Sequence, residues 1–341
     1  MNDTFISVII PCRNEENFIK DCLDSIVQQD YQKDMMEVLV VDGMSDDTTA
    51  DIVRTYEKKY TFIKLFSNPK KIVPTALNIG IKNALGDIII RVDSHAIYPR
   101  NYFSTLVHYA KKLNADNVGG ALITLPANNS RTAKSIAIVL SSPFGVGNAR
   151  YRLDGKRKRE YFETDTVPFG CYKRNVFNRI GLYDEDLIRN QDNEFNERLK
   201  KAGGKIYIVP SLKIRYFARS NYKKLFKMLF QYGYFGPLVD LKLKRPTRIR
   251  RYIPTLFVLS ITLPLLFAWI SGDILLISLM VASIYFIMAI LFAIKESCKR
   301  KQITLIPYVV LGFVVSHISY GLGYLKGIVD FVILKKDPKR L

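Results

Sequence analysis

The stretch FISVIIPCRNEE, Phe5–Glu16, carries the reading of the fold. Phe5–Ile10 is apolar and β-branched, which predicts a strand, and the chain turns polar at Pro11. Asn17–Gln28 then has helical spacing through Phe18, Cys22 and Ile26. Glu37–Val41 is a second apolar run, ending at Asp42. Asp46–Lys59 reads as a helix with an Asp/Thr-rich start suited to capping. Phe62–Phe66 follows as a short strand, Pro74–Asn83 as a helix with proline in its first turn, and Asp87–Val92 as a strand ending at Asp93. Such alternation predicts an α/β domain with a mostly parallel central sheet. Ligands of these sheets bind beyond the carboxyl ends of the strands, where Asp42 and Asp93 stand. Further on, Arg131–Leu140 and Asn193–Lys201 read as helices and Lys205–Val209 as a strand. Gly155–Glu160 (GKRKRE) between them is a charged loop.

The 341 residues carry 51 Lys+Arg against 31 Asp+Glu, a formal charge of +20. An excess of this size implies an anionic partner: nucleic acid, an acidic membrane surface or a phosphorylated substrate. No nucleic-acid motif accompanies it, so a nucleic-acid partner is not expected. Cys12, Cys22, Cys171 and Cys298 have no paired spacing and no His cluster nearby. They read as small buried thiols in a reducing compartment rather than a zinc site. MNDTFISVII lacks the basic start of a signal peptide.

From Ser220 the character changes. Tyr222–Phe235 mixes Lys with Leu, Phe, Met and Tyr at helical spacing, and Lys242–Arg251 (KLKRPTRIRR) is strongly basic. Together they read as an amphipathic helix on an anionic membrane surface. Ile253–Ser271 and Ile274–Ile294 are uncharged and long enough to span a bilayer, with Gly272 and Asp273 between them. Ile303–Leu325 is less clean, and reads as spanning, interfacial or re-entrant. The expected organisation is an α/β domain over 1–219, a basic interfacial segment over 220–252 and a membrane domain over 253–341. Arg250, Arg251, Lys295, Lys299, Arg300 and Lys301 flank the first two runs on one side. By the positive-inside rule the α/β domain faces the cytoplasm, on a multi-pass protein of the inner (plasma) membrane.

Four polar clusters follow predicted strands or open a predicted helix: Pro11–Glu15, Val41–Thr48 (VDGMSDDT), Arg91–His95 (RVDSH) and Arg189–Glu194 (RNQDNE). Singly each has a bland alternative as caps, turns or solvated carboxylates. In this order, from Val8 to about Val209, they resemble the nucleotide-sugar domain of the family 2 glycosyltransferases, which has the GT-A type fold. The wording VIIPCRNEE, VVDGMSDDT, RVDSHAIY, FGCYKRNVF and RNQDNEFNERL is similar to the succinoglycan-type ExoA subgroup.

The resemblance implies roles for particular residues. Pro11, Arg13 and Glu15 would line the nucleotide, with Glu15 towards the ribose and Asp42 towards the uracil imide of a UDP-linked donor. Asp93 and His95 stand where the family has its Asp-x-Asp metal motif. The oxygen-plus-imidazole pair suits Mn²⁺ somewhat better than Mg²⁺. The bland alternative for His95 is a hydrogen bond to phosphate. Asp192 matches the family's general base, with Asp184, Glu185 and Asp186 as nearby rivals. Gly170 matches a small residue close to the donor sugar, the alternative being an ordinary turn glycine. Gln231 opens a segment, Gln231–Phe235, where related polymer synthases have Gln-x-x-Arg-Trp; the Arg and Trp are missing, and an apolar helix face is the alternative. The acceptor implied is a polyprenyl-diphosphate-linked sugar of an exopolysaccharide or other surface glycan. The main rival is a polyprenyl-phosphate sugar synthase, which has the same donor domain and a lipid monophosphate acceptor.

Overall fold

The computed structural model describes residues 4–147, 149–153, 159–246, 251–267, 269 and 272–338. The strands are β1 (Ile6–Cys12), β2 (Met36–Asp42), β3 (Ile63–Ser67), β4 (Ile88–Arg91), β5 (Ala96–Ile97), β6 (Asn117–Leu125), β7 (Phe162–Glu163), β8 (Cys171–Lys173) and β9 (Ile206–Phe217). The helices are α1 (Ile19–Val27), α2 (Thr49–Lys59), α3 (Val73–Asn83), α4 (Tyr102–Lys112), α5 (Arg131–Val139), α6 (Pro143–Val146), α7 (Arg150–Leu153), α8 (Arg174–Ile180), α9 (Gln191–Lys201), α10 (Tyr222–Tyr234), α11 (Gly236–Leu243), α12 (Ile253–Phe267), α13 (Gly272–Lys299) and α14 (Ile306–Gly327). The chain divides into two compact units, Met1–Ile123 with Arg150–Tyr216, and Thr124–Ala149 with Phe217–Leu341. Residues 155–158 of the charged loop, Arg248 and Arg250 of the basic stretch, Ser271 of the first apolar run and the tail 339–341 lie outside the described residues.

The first unit is built on a sheet of order β3-β2-β1-β4-β8-β6-β9-β5, with β7 beside β9. β3, β2, β1 and β4 are parallel, as the alternation of strands and helices requires. β8 joins β4 antiparallel and β6 joins β8 antiparallel, so the sheet as a whole is mixed. Both faces of the parallel part are covered, which is why its strands read as unbroken apolar runs. Val8, Ile10, Val38 and Val40 pack with Cys22, Leu23, Ile26, Phe103 and Leu106 on one face. Ile9, Leu39 and Val41 pack with Leu77, Ile81, Phe195 and Leu199 on the other. β9 runs well beyond the expected end at Val209. Pro210 lacks the N–H that a ladder uses and is the residue that ended the expected strand, yet beyond it Leu212, Ile214 and Tyr216 alternate buried with exposed Ser211, Lys213 and Arg215. Cys12, Cys22 and Cys171 are buried as expected, whereas Cys298 is exposed.

In the second unit two helices are long and apolar enough to cross a membrane: Gly272–Lys299, and Ile303–Ile333, in which α14 is extended at both ends. Only 11% of the apolar window of α13 is buried. Leu275, Leu276, Ile277, Leu279 and Met280 are all exposed, a surface too greasy and continuous for an ordinary water-facing helix. α12 is a shorter apolar helix with Pro264 inside it. α10 packs on α14 backbone to backbone. A Cβ on Gly233 would meet the Tyr320 carbonyl oxygen at 2.1 Å, one on Gly323 the Phe230 oxygen at 2.2 Å, and one on Gly327 the Tyr234 oxygen at 2.2 Å. Small residues at such spacing let helices approach closely. Arg251, expected in an exposed basic collar, is instead buried at 6% exposure with its guanidinium 3.3 Å from Asp240. Tyr324 also donates to Asp240, at 3.0 Å. α10 keeps Lys223, Lys224, Phe226 and Lys227 exposed on its other face.

Candidate active site

The strand order reverses between β1 and β4: after β1 the chain builds outward through β2 and β3, then returns to place β4 on the other side. Loops leaving two adjacent parallel strands diverge at such a point and open a crevice between them. Pro11 is buried near the end of β1, paired with Val41, and Cys12 pairs with Asp42 at the end of β2. The Asp42 carboxylate accepts from the Ser45 hydroxyl at 2.5 Å and the Ser45 amide at 3.0 Å, which folds the loop after β2 into a tight turn. That loop is stitched to the one after β1. The Asn14 amide donates to Ser45 Oγ at 2.9 Å, the Asp46 amide to Asn14 Oδ1 at 2.9 Å, and the Glu15 amide to Thr49 Oγ1 at 2.8 Å. Asn14 takes a left-handed φ of 55°, a conformation that asparagine tolerates better than most residues. Arg13 is exposed and lies 3.7 Å from Asp46.

β4 ends at Arg91, so Asp93 and His95 fall in the loop beyond it. The Asp93 amide donates to the Tyr98 hydroxyl at 2.6 Å, and the Cys22 thiol reaches the Asp93 carbonyl at 3.5 Å. His95 Nδ1 lies 2.7 Å from Asp93 Oδ1 and 3.3 Å from Glu15 Oε1. Its angles are poor for hydrogen bonding, and both ring nitrogens are buried without a well-aligned partner. The ring packs on Tyr216, centroids 5.0 Å apart. Burial opposes charge on His95, but Asp93 and then other neighbours outweigh it, and its pKa stands well above the ordinary histidine value. Burial would raise the Asp93 pKa, yet His95 and Arg91 carry it below the carboxylate range. Burial, then Asp42 and Glu15, push the Cys12 thiol up, so it stays protonated and is no nucleophile.

Asp192 lies in the first turn of α9, inside the helix rather than before it. Its carboxylate contacts the buried guanidinium of Arg91. Sequence reasoning quoted Arg91 but gave it no role; the available signal was an arginine ending an otherwise apolar strand. Of the rival carboxylates, Glu185 is held by Lys70 at 2.7 Å and Asn78 at 3.0 Å. Gly170 does not take a positive φ. Its Cβ would meet Asn117 Oδ1 at 2.3 Å and the Tyr172 ring at 2.6 Å, so the crowding there comes from the protein's own side chains. Gln231 belongs to the second unit, buried on α10.

One carboxylate and one imidazole, the latter releasing its proton as metal binds, form a donor set that fits a divalent cation. Among the described residues no group of three His, Cys, Asp or Glu is placed to hold a metal ion by itself. The remaining ligands would fall to substrate oxygens and water.

Residues 7–184 match the family model described as glycosyl transferase family 2. A dolichyl N-acetyl-alpha-D-glucosaminyl phosphate 3-beta-D-2,3-diacetamido-2,3-dideoxy-beta-D-glucuronosyltransferase from Methanococcus voltae is 34% identical, over 67% of this chain and 72% of that protein. The succinoglycan biosynthesis protein ExoA of Rhizobium meliloti is 27% identical, over 74% of this chain and 76% of its own. Among solved structures, the mannosyltransferase PcManGT of Pyrobaculum calidifontis superposes with a TM-score of 0.58 at 18% identity, covering 92% of this chain and 87% of that one. The fold is therefore the expected GT-A type, and the chain belongs to glycosyltransferase family 2.

Proposed function

We propose that this glycosyltransferase is metal-dependent and inverting, and moves a sugar from a UDP-linked donor to a sugar carried on a polyprenyl diphosphate. The observation that carries the reading is the stretch Arg91–His95 at the end of β4. Arg91 contacts Asp192, while Asp93 and His95 meet Glu15 of the neighbouring loop. One short segment thus touches both the candidate base and the candidate metal pair.

Pro11, Arg13, Glu15 and Asp42 would bind the nucleotide, with Gly170 near the donor sugar. Asp93 and His95 would hold Mn²⁺ or Mg²⁺, which when bound neutralises charge on the departing diphosphate. Asp192 takes the proton of the acceptor hydroxyl as that oxygen attacks C1. With one base and no enzyme nucleophile, displacement is direct and C1 inverts, so an α-linked donor gives a β-linked product. Gln231, on α10, would serve the acceptor side.

Two membrane-length helices and the exposed lysines of α10 favour a lipid-borne acceptor at an anionic surface, with the catalytic unit cytoplasmic. The name of the Methanococcus relative specifies an acceptor sugar on a dolichyl phosphate, which favours a second form of the reading with one phosphate between lipid and sugar. The test supplies nucleotide sugars with polyprenyl-diphosphate-linked sugar, polyprenyl-phosphate-linked sugar, bare polyprenyl phosphate or soluble oligosaccharide, reading nucleotide release and product. Transfer to bare polyprenyl phosphate would make the protein a lipid-phosphate sugar synthase. Equal rates on soluble acceptors would overturn the lipid assignment.

A further inference from the structure

Burying a guanidinium is costly unless it is paired, and a buried pair is weak evidence of a stability role. The Arg91 side chain is 9% exposed, its Nη1 contacts Asp192 Oδ1, and its Nε is buried with no hydrogen-bond partner. The partner carboxylate is 33% exposed, so a buried cation holds one oxygen, Oδ1, of a group that is partly open to solvent.

The surroundings hold α9 itself by other means. Tyr183 stacks on Phe195 with centroids 4.4 Å apart, and Tyr172 meets Phe195 edge-on at 5.4 Å. Asn196, one turn after Asp192, accepts from Asn117 at 2.9 Å and donates to Thr166 at 2.9 Å. With the helix fixed in this way, the freedom left to Asp192 is rotation of its own side chain. The Arg91 contact removes it.

We infer that Arg91 is a positioning residue that locks the Asp192 carboxylate by one oxygen and leaves Oδ2 directed at the acceptor hydroxyl. This rests on the reading of Asp192 as the base. A base must come within about 2.6–3.2 Å of the proton it takes, and a misplacement of about 1 Å costs on the order of 10²-fold in rate.

The experiment compares Arg91→Ala, Arg91→Lys, Asp192→Asn and the double variant Arg91→Ala/Asp192→Asn of the full chain in detergent, measuring kcat, donor KM and UDP affinity. Arg91→Ala is expected to lower kcat by about 10²-fold with UDP affinity unchanged, and added guanidinium to restore part of the loss. Arg91→Lys should fall between, because a lysine offers a point charge rather than a planar fork. The double variant should be no slower than Asp192→Asn alone, since a lock has nothing to position once the base is gone. Wild-type kcat in Arg91→Ala, or losses that multiply in the double variant, would overturn the inference while Asp192→Asn still reports the base. Should Arg91→Ala not fold, wild-type kcat in Arg91→Lys would overturn it as well. A fully active Asp192→Asn would remove the base assignment itself, and the inference with it.

Discussion

His95 Nδ1 stands 3.3 Å from Glu15 Oε1, joining the loop after β4 to the loop after β1. Asp93 Oδ1 approaches the same nitrogen at 2.7 Å. Two carboxylates thus meet at one imidazole, whose ring nitrogens are both buried without a well-aligned hydrogen-bond partner. The topology makes this meeting possible, because β1 and β4 are adjacent and parallel and their outgoing loops flank one crevice.

Metal removal is the direct check on that cluster. Excess chelator should stop donor turnover, with Mn²⁺ restoring it at least as well as Mg²⁺, and His95→Ala should lose most activity. Full turnover in chelator would remove the metal from the mechanism.

Asp192→Asn should lower kcat by about 10²–10⁴-fold, the usual cost of losing a general base. UDP affinity, measured by calorimetry, should stay near wild type. The anomeric configuration of the product, read by NMR, should be opposite to that of the donor; retention or a trapped glycosyl-enzyme would rule out direct displacement.

Asp42→Ala should weaken UDP binding rather than the chemical step. The substitution also frees both Ser45 bonds, so Ser45→Ala is the control. If the two variants lose UDP affinity equally, Asp42 acts by shaping the loop and not by touching the base.

Gly170→Ala should destabilise the protein by about 1–3 kcal/mol, as overpacking does, because the new methyl runs into Asn117 and Tyr172. A lowered thermal midpoint with donor KM unchanged would mark Gly170 as a packing glycine. Raised donor KM with an unchanged midpoint would return it to the sugar site.

Replacing Lys223, Lys224 and Lys227 together with Gln should reduce activity in anionic nanodiscs and leave it unchanged in neutral ones. Each cation near an anionic surface is worth about 1 kcal/mol. Equal rates in both lipids for the wild type would show that this face does not read the membrane.

Much of the first unit was legible because its local signals agree with one another. The runs at Ile6–Cys12, Met36–Asp42 and Ile88–Arg91 became parallel strands, and the loops after them hold the quoted polar clusters. Expected helix starts were less accurate. α2 starts at Thr49, since Asp46 faces Arg13 and Asp47 accepts from the Thr49 amide at 3.0 Å instead of extending the helix. β8 went unread and β9 was ended too early, for different reasons. β8 is only three residues long, and in β9 Pro210 interrupts the run before a regular alternation resumes. The Arg91–Asp192 contact was invisible because its partners lie 101 residues apart, and α9 reaches the sheet through the packing of Phe195 and Leu199. Arg251 was misplaced in the same way: charge counting cannot see that Asp240 buries it.

The assignment of Thr124–Ala149 to the second unit has a consequence for synthesis of the protein. The apolar face of α5, with Ala133, Ile136 and Val139 buried, packs on elements that include α14. α14 spans Ile306–Gly327, far downstream of α5 in the chain. At about 5–20 residues per second, α5 waits on the order of ten seconds or more for that partner. Through that interval the part of α5 around Ile138 and Val139 lacks the Val309 and Phe313 side chains that cover it in the folded protein. Shortening the chain before α14 would make the wait permanent, so a shortened protein is expected to be a client of chaperones rather than a soluble enzyme.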